Sequence, residues 1–213
     1  DLELVDKLDI NPEILPPVIN SIDVVGQVQE DVVNEIGLSS NTAVVAGGAD
    51  NACGAVGSGI VKEGRVMVSI GSSGTVVAQT NEPTADQGGR MHLFNHAQPD
   101  SWYLMGVMLS AGMSYRWLKE DLYNNEFEYD KLNQLAADVD PGSEGLIFLP
   151  YLYGERTPHA DANARGVYFG ISGKHSQGHF VRSLLEGVSF GLKDSLELIK
   201  EQGVEINEVR VIG

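Results

Sequence analysis

Apolar positions along the chain follow a mixed helix and strand rhythm up to about residue 60, and a sustained strand rhythm after it. Leu2, Leu4, Val5 and Leu8 sit at near-helical spacing, and Asn11-Pro12 ends that run, because a residue before proline is pushed out of the helical region. Pro16-Pro17 reads as an extended connector. Ile22 to Val28 predicts a short strand, and Glu30 to Ile36 a helix closed by Gly37, which can take the left-handed cap conformation. Thr42 to Ala46 predicts a buried strand, and Asn51 to Ser58 a helix whose Ala52, Gly54, Ala55 and Gly57 allow close packing on a sheet.

Beyond Lys62-Glu63-Gly64 the pattern turns antiparallel: strands at Arg65 to Ile70, Thr75 to Gln79, Met91 to His96 and Trp102 to Met108, with a turn at Gln98-Pro99-Asp100-Ser101. A domain boundary is therefore expected near residue 60, dividing the chain into segments 1–60 and 61–213. Helices are expected over Ser110 to Tyr123 and Tyr129 to Ala137, a strand at Leu146 to Leu149, and a polar loop from Pro150 to Pro158. Ser176 to Gln202 reads as one long helix with Phe180, Leu184, Leu185, Val188, Leu192, Leu196 and Ile199 on one face. Gly187 and Gly191, one turn apart on it, predict close approach by a neighbouring element. A strand from Glu208 to Ile212 follows.

Composition narrows the classes. A length of 213 residues gives room for one or two domains, and a formal net charge of −16 with no basic run argues against nucleic-acid or anionic-membrane partners. No apolar stretch approaches the roughly eighteen residues that span a bilayer. The lone Cys53 excludes an intramolecular disulfide framework and fits a reducing compartment; among Ala and Gly it is expected to pack as a small helix residue, and a cytoplasmic location follows. The 5 His are scattered, with no metal-ligand spacing. Asp1-Leu2-Glu3-Leu4 carries no initiator Met or signal peptide, so the chain is read as an internal piece of a larger protein.

The candidate chemistry lies between Val44 and Gly74. An apolar strand runs into Gly47-Gly48, where the backbone can turn sharply, and presents Asp50 at the strand's carboxyl end, the usual ligand edge of an open α/β sheet. Gly71-Ser72-Ser73-Gly74 then forms a turn of small residues whose amides can cradle phosphate oxygens. The structural alternatives stand beside these roles: Asp-Asn as an ordinary turn or helix cap, with Asn51 capping the helix that follows, and Gly-Ser-Ser-Gly as an ordinary hairpin.

Taken together, several stretches resemble the FGGY carbohydrate kinases: Leu15-Pro16-Pro17-Val18, Gly26-Gln27-Val28, Val44 to Ala52, Ser69 to Gly74, Trp102 to Gly106, Leu149 to Pro158 and Ala164-Arg165-Gly166. Gly166 to Glu186 is similar to that family's second signature. The resemblance implies an α/β fold of the ribonuclease-H-like type, as in actin and hexokinase, present here in part: the end of domain I and the front of domain II. It implies ATP-dependent phosphorylation of a pentulose, D-xylulose foremost, with gluconate, ribulose or glycerol as alternative acceptors and a non-catalytic actin-like nucleotide-binding module as the alternative class. Sugar and Mg-ATP would meet in the cleft between the domains, ATP and Mg²⁺ being the cofactors implied, and a homodimer is expected. Asp50 takes the place of the catalytic base and contacts the substrate, and Asn51 takes a sugar-contacting position. Gly71, Ser72, Ser73 and Gly74 match the family's second phosphate loop, with Ser72 where Thr is usual. Gly112 and Arg116 match nucleotide-proximal positions, Arg116 standing where Gln is frequent. Glu155, Arg156, Asp161 and Arg165 form a dense charged cluster read as architectural, and Trp102 and Trp117 as core. The phosphate motif and most sugar-binding residues of the family would lie upstream and its adenosine loop downstream, so the 213-residue piece is expected to be inactive alone.

Overall fold

The computed structural model describes residues 2–213; Asp1, the first residue of the expected 1–60 segment, lies outside the described residues. The first part is sparse in contacts. Helix α1 (Leu2–Lys7) leads through a single 3-10 turn at Pro12–Ile14 to strand β1 (Val24–Gln27), helix α2 (Glu30–Ile36), strand β2 (Ala43–Val45) and helix α3 (Asp50–Gly57). Gly37 closes α2 at φ 72°, ψ 31°, the left-handed cap that the sequence anticipates. β2 was expected to be buried, and it is not: it pairs antiparallel with β1 alone, and all three of its residues are exposed. Among the described residues nothing forms a second layer over that two-stranded ribbon, so its alternate Val side chains keep contact with solvent.

From Arg65 onward the antiparallel pattern holds. Strands β3 (Arg65–Ile70), β4 (Gly74–Thr80), β5 (His92–Asn95) and β6 (Trp102–Met108) are followed by helices α4 (Gly112–Trp117) and α5 (Tyr129–Ala137), the short hairpin β7 (Ile147–Leu149) and β8 (Val167–Phe169), the long helix α6 (Gln177–Glu201) and strand β9 (Glu208–Ile212). The uniform helix expected over Ser110 to Tyr123 is shorter: it starts at Gly112 and passes at Leu118 into a π turn, in which the Tyr123 amide reaches back to the Leu118 carbonyl at 2.9 Å.

The main sheet has the order β5-β6-β4-β3-β9. β3, β4, β6 and β5 pair antiparallel in that order, β6 lying between β4 and β5, and α6 carries the chain over to β9, which pairs parallel to β3 with Val66 opposite Val209. The alternation along the strands then assigns the two faces. Val66, Val68, Val76, Ala78, Leu104 and Met108 pack toward α6 with Val181, Leu184, Val188, Leu192 and Ile199, while Met67, Val77, Tyr103, Met105 and Val107 pack toward α3 with Ala52, Ala55 and Ile60. The result is a sheet between two helices, each burying one face. Gly187 and Gly191 serve the close approach predicted for them: a Cβ on Gly187 would collide with the Phe148 carbonyl, and one on Gly191 would lie 3.2 Å from Met108 Cε. Ser176 starts α6, its N–H donating to His179 Nδ1 at 3.1 Å.

One buried carboxylate ties the β4–β5 connection to the end of α6. Asp86 accepts from the Arg90 amide at 2.6 Å and guanidinium at 2.9 Å and from Gln202 Nε2 at 3.2 Å. The Arg90 guanidinium hydrogen bond pulls the Asp86 pKa from 3.8 to about 2. A carboxylate pKa depressed in the folded state adds stability above its ordinary range, and that stability is lost as pH falls from about 4 through about 2. With Arg90 partly exposed and screened, the contribution is about 1–2 kcal/mol. Acid unfolding followed by circular dichroism should therefore be less steep in that window for Asp86→Asn than for the unmodified protein, with the Asn variant already less stable at pH 7.

Candidate active site

The chain reaches Asp50 through a constrained turn. The Gly47 amide donates to the Ser21 carbonyl at 2.9 Å with φ 76°, and a Cβ on Gly48 would lie 3.3 Å from each of Ala97 Cβ, Cys53 Sγ and Ser21 Oγ. Asp50 is the first residue of α3, and its carboxylate is exposed. Ala49 occupies the cap position, so the capping role considered for Asn51 does not arise. Asn51 instead bonds the carboxylate itself: its backbone N–H donates to Asp50 Oδ1 at 2.7 Å and its Nδ2 at 3.2 Å. On the sheet side stands Tyr103, buried, its hydroxyl pKa raised by burial and then by the negative charge of Asp50. Cys53 is a correction. It points away from the sheet and is exposed, with Sγ 3.4 Å from the Gly48 carbonyl, because Ala52 and Ala55 take the packing face of α3.

The 71–74 turn is held from behind. The amides of Gly112 and Met113 donate to the carbonyls of Gly71 and Ser72 at 2.9 and 3.0 Å, so the first turn of α4 grips the hairpin tip. That grip needs a glycine at 112, since a Cβ there would sit 2.6 Å from the Gly71 oxygen. Gly74 is also closely packed, with its Cβ position 3.2 Å from Ala111 Cβ and 2.7 Å from Leu192 Cδ2, the end of a side chain that can shift. The Gly71 amide is used within the turn, donating to the Ser73 carbonyl at 2.9 Å. Ser72 and Ser73 are exposed at the tip. Ser73 Oγ reaches the Leu109 carbonyl at 3.4 Å, and the Leu109 amide donates to Glu155 Oε1 at 3.0 Å.

Glu155 thus enters the picture as a buried clamp behind the turn, its pKa raised by burial against hydrogen bonds from the Arg156 and Leu109 amides. The rest of its cluster works through the backbone. Asp161 Oδ1 accepts the Asn163 amide at 2.7 Å, the Arg165 guanidinium donates to the carbonyls of Ala162 and Ala164, and no ion pair joins these four charged residues among the described residues. Arg116, one turn beyond Gly112, is exposed, with Nη2 3.0 Å from Met113 Sδ. Trp117 packs at the edge of the α6-side core, stacked on Phe148 at 6.3 Å between ring centroids.

One contact places the carboxylate beside the turn. Thr75, the residue after Gly74, lies with Oγ1 3.5 Å from Asn51 Oδ1; Asp50 follows the carboxyl end of β2 in the two-stranded ribbon, and the 71–74 turn follows that of β3 in the main sheet. A cavity of about 410 Å³ lined by Glu63, Thr80, Glu82 and Asn207 lies at the opposite end of β3 and β4. Thr75 and Tyr103 carry no motif of their own; what could have marked Thr75 is a hydroxyl at a strand position whose alternates, Val77 and Gln79, face α3.

Three adjacent antiparallel strands, β3, β4 and β6, with β5 added at the edge, a long crossover helix and a further strand parallel to the first define a ribonuclease-H-like domain of the actin and hexokinase type, with a small-residue turn at the end of β3 and a carboxylate on the helix packed beside it. Residues 66–213 match the C-terminal domain of the FGGY family of carbohydrate kinases and residues 1–57 its N-terminal domain, and the chain belongs to that family. It is 44% identical over 201 residues to a xylulose kinase of Staphylococcus epidermidis, covering 94% of this chain and 40% of the relative. It is 42% identical over 211 residues to a xylulose kinase of Bacillus subtilis, covering 99% and 42%. Among solved structures, the xylulose kinase of Rhodospirillum rubrum superposes with a TM-score of 0.87 at 29% identity, over 99% of this chain and 42% of that one. The chain thus spans about two fifths of the length of the curated relatives it matches.

Proposed function

We propose that this chain supplies one edge of the active site of a longer kinase that transfers the γ-phosphoryl group of ATP to a pentulose, D-xylulose foremost. The observation that carries the reading is the pair of contacts that ties Asp50 through Asn51 to Thr75, the residue that follows the 71–74 turn. Asp50, exposed at the strand end, takes the proton of the acceptor hydroxyl as that oxygen attacks the γ-phosphorus; the bond to the ADP oxygen breaks, and ADP leaves. Asn51 contacts the sugar beside the base. The amides of Ser72 and Ser73, which find no backbone acceptor among the described residues, are the donors for phosphate oxygens, and Gly112 lets α4 hold the tip from behind. Arg116, with its guanidinium in solvent, adds positive charge on the nucleotide side.

No group of three or more His, Cys, Asp or Glu able to hold a metal occurs among the described residues. Mg²⁺ would enter with the nucleotide, taking most of its ligands from phosphate oxygens and water. When bound, the ion supplies neutralisation of the charge on the transferring phosphoryl group.

The grip of α4 on the turn gives a specific expectation. Gly112→Ala forces the Gly71 carbonyl aside and shifts the tip, so steady-state kinetics of the full-length protein should show a raised KM for ATP and a kcat/KM loss on the order of 10²-fold, with the KM for sugar little changed. The reading as a whole is tested by a coupled assay of ADP release from the full-length protein with D-xylulose, D-ribulose, gluconate and glycerol. Turnover should be fastest with D-xylulose; absence of turnover with all four would overturn it.

A further inference from the structure

Thr75 is where the phosphate-turn strand touches the base-bearing helix. It is the second residue of β4, opposite Ser69 on β3 and Val107 on β6, and shares the α3-facing side of that strand with Val77. Its hydroxyl stands 3.5 Å from Asn51 Oδ1, and the other end of the same amide, Nδ2, stands 3.2 Å from Asp50 Oδ1. One orientation of the Asn51 amide serves both contacts: the carbonyl accepts from a hydroxyl, and the NH₂ donates to a carboxylate. Turned over, the amide would set its oxygen against the carboxylate oxygen and lose that bond.

We infer that Thr75 is a positioning residue: its hydroxyl fixes the Asn51 amide, the amide holds the Asp50 carboxylate, and the start of α3 is thereby tied to the start of β4. The inference rests on the reading of Asp50 as the base. Thr75 touches neither sugar nor phosphate in this scheme; it acts by keeping the carboxylate and the phosphate turn at one separation and one mutual angle. A valine would fill the same volume and pack as well against α3, so what threonine adds at 75 is the directional bond.

The test uses the full-length protein and five variants, Thr75→Val, Thr75→Ala as a second hydroxyl deletion, Thr75→Ser, Asn51→Ala and the Asn51→Ala, Thr75→Val double, with thermal unfolding measured for each. Thr75→Val should lower kcat about three- to tenfold with the KM for ATP held within about twofold, and Thr75→Ser should restore it. In the Asn51→Ala background the Val substitution should cost nothing further, because the link it removes is already broken. An unchanged kcat in both hydroxyl deletions, or the same loss in the Asn51→Ala background, overturns the inference and leaves Asp50 as the base. Retention of turnover by Asp50→Asn overturns the base reading instead, and the positioning role with it.

Discussion

Asp50→Asn in the full-length protein should lower kcat for sugar phosphorylation by about 10²- to 10⁴-fold while ATP binding, measured by calorimetry, stays near its original strength. The substitution keeps the shape of the side chain and an oxygen for the Asn51 amide, which donates to Asp50 Oδ1 at 2.7 Å, so the start of α3 should be preserved. What it removes is the ability to take a proton from the acceptor hydroxyl. The phosphate turn is built from other parts, the hairpin tip and the amides of Gly112 and Met113, and among the described residues its hydrogen bonds do not run through Asp50. A non-catalytic nucleotide-binding module would respond differently: it would lose neither its nucleotide nor any partner function on this substitution. The split between kcat and nucleotide affinity is thus the discriminating quantity.

Gly187→Val should be the most damaging single change to the fold. At this point α6 lies directly on β7, and a side chain would collide with the Phe148 carbonyl. Phe148 cannot move away easily. It is buried, with its ring 4.6 Å from Tyr168 and 6.3 Å from Trp117, and its strand is paired with β8. Overpacking at a rigid contact costs about 3 kcal/mol or more, which for a domain of this size lowers Tm by roughly 6–12 °C. Phe190→Ala, three residues along the same helix but 62% exposed, should change stability by no more than about 0.5 kcal/mol. Paired thermal scans of the two variants separate a helix held by close backbone approach from one held by apolar area alone.

The sequence made most of this frame readable because period and punctuation agree in it. The strand over residues 65–70 stands between Gly64 and Gly71, the strand over 102–108 is a continuous apolar run that begins after Ser101, and the helix over 129–137 repeats its apolar positions at helical spacing, and the observed bounds coincide with the expected ones. The α6 glycines were legible for the same reason: two glycines one turn apart on an otherwise apolar face have few uses besides close approach. What failed to show depends on partners distant in sequence. Burial of β2 could not be judged from its apolar residues, because burial requires a covering layer and the ribbon has none among the described residues. The exposure of Cys53 follows from the rotation of α3, which is set by where Ala52 and Ala55 meet the sheet. The clamp from Glu155 through Leu109 to Ser73 consists of hydrogen bonds across gaps of 46 and 36 residues, which no local pattern encodes. The candidate base and phosphate turn stood out as motifs, whereas Thr75, which connects them, looked like the first residue of a strand.

The most direct measurement is a crystal structure of the full-length protein with D-xylulose and a non-hydrolysable ATP analogue bound together. The account predicts the acceptor hydroxyl of the sugar at about 2.6–3.2 Å from the Asp50 carboxylate, and the terminal phosphate against the Ser72 and Ser73 amides, in line with that hydroxyl. A sugar whose acceptor hydroxyl lies out of reach of Asp50, or a nucleotide whose phosphates bind away from the 71–74 turn, would contradict it.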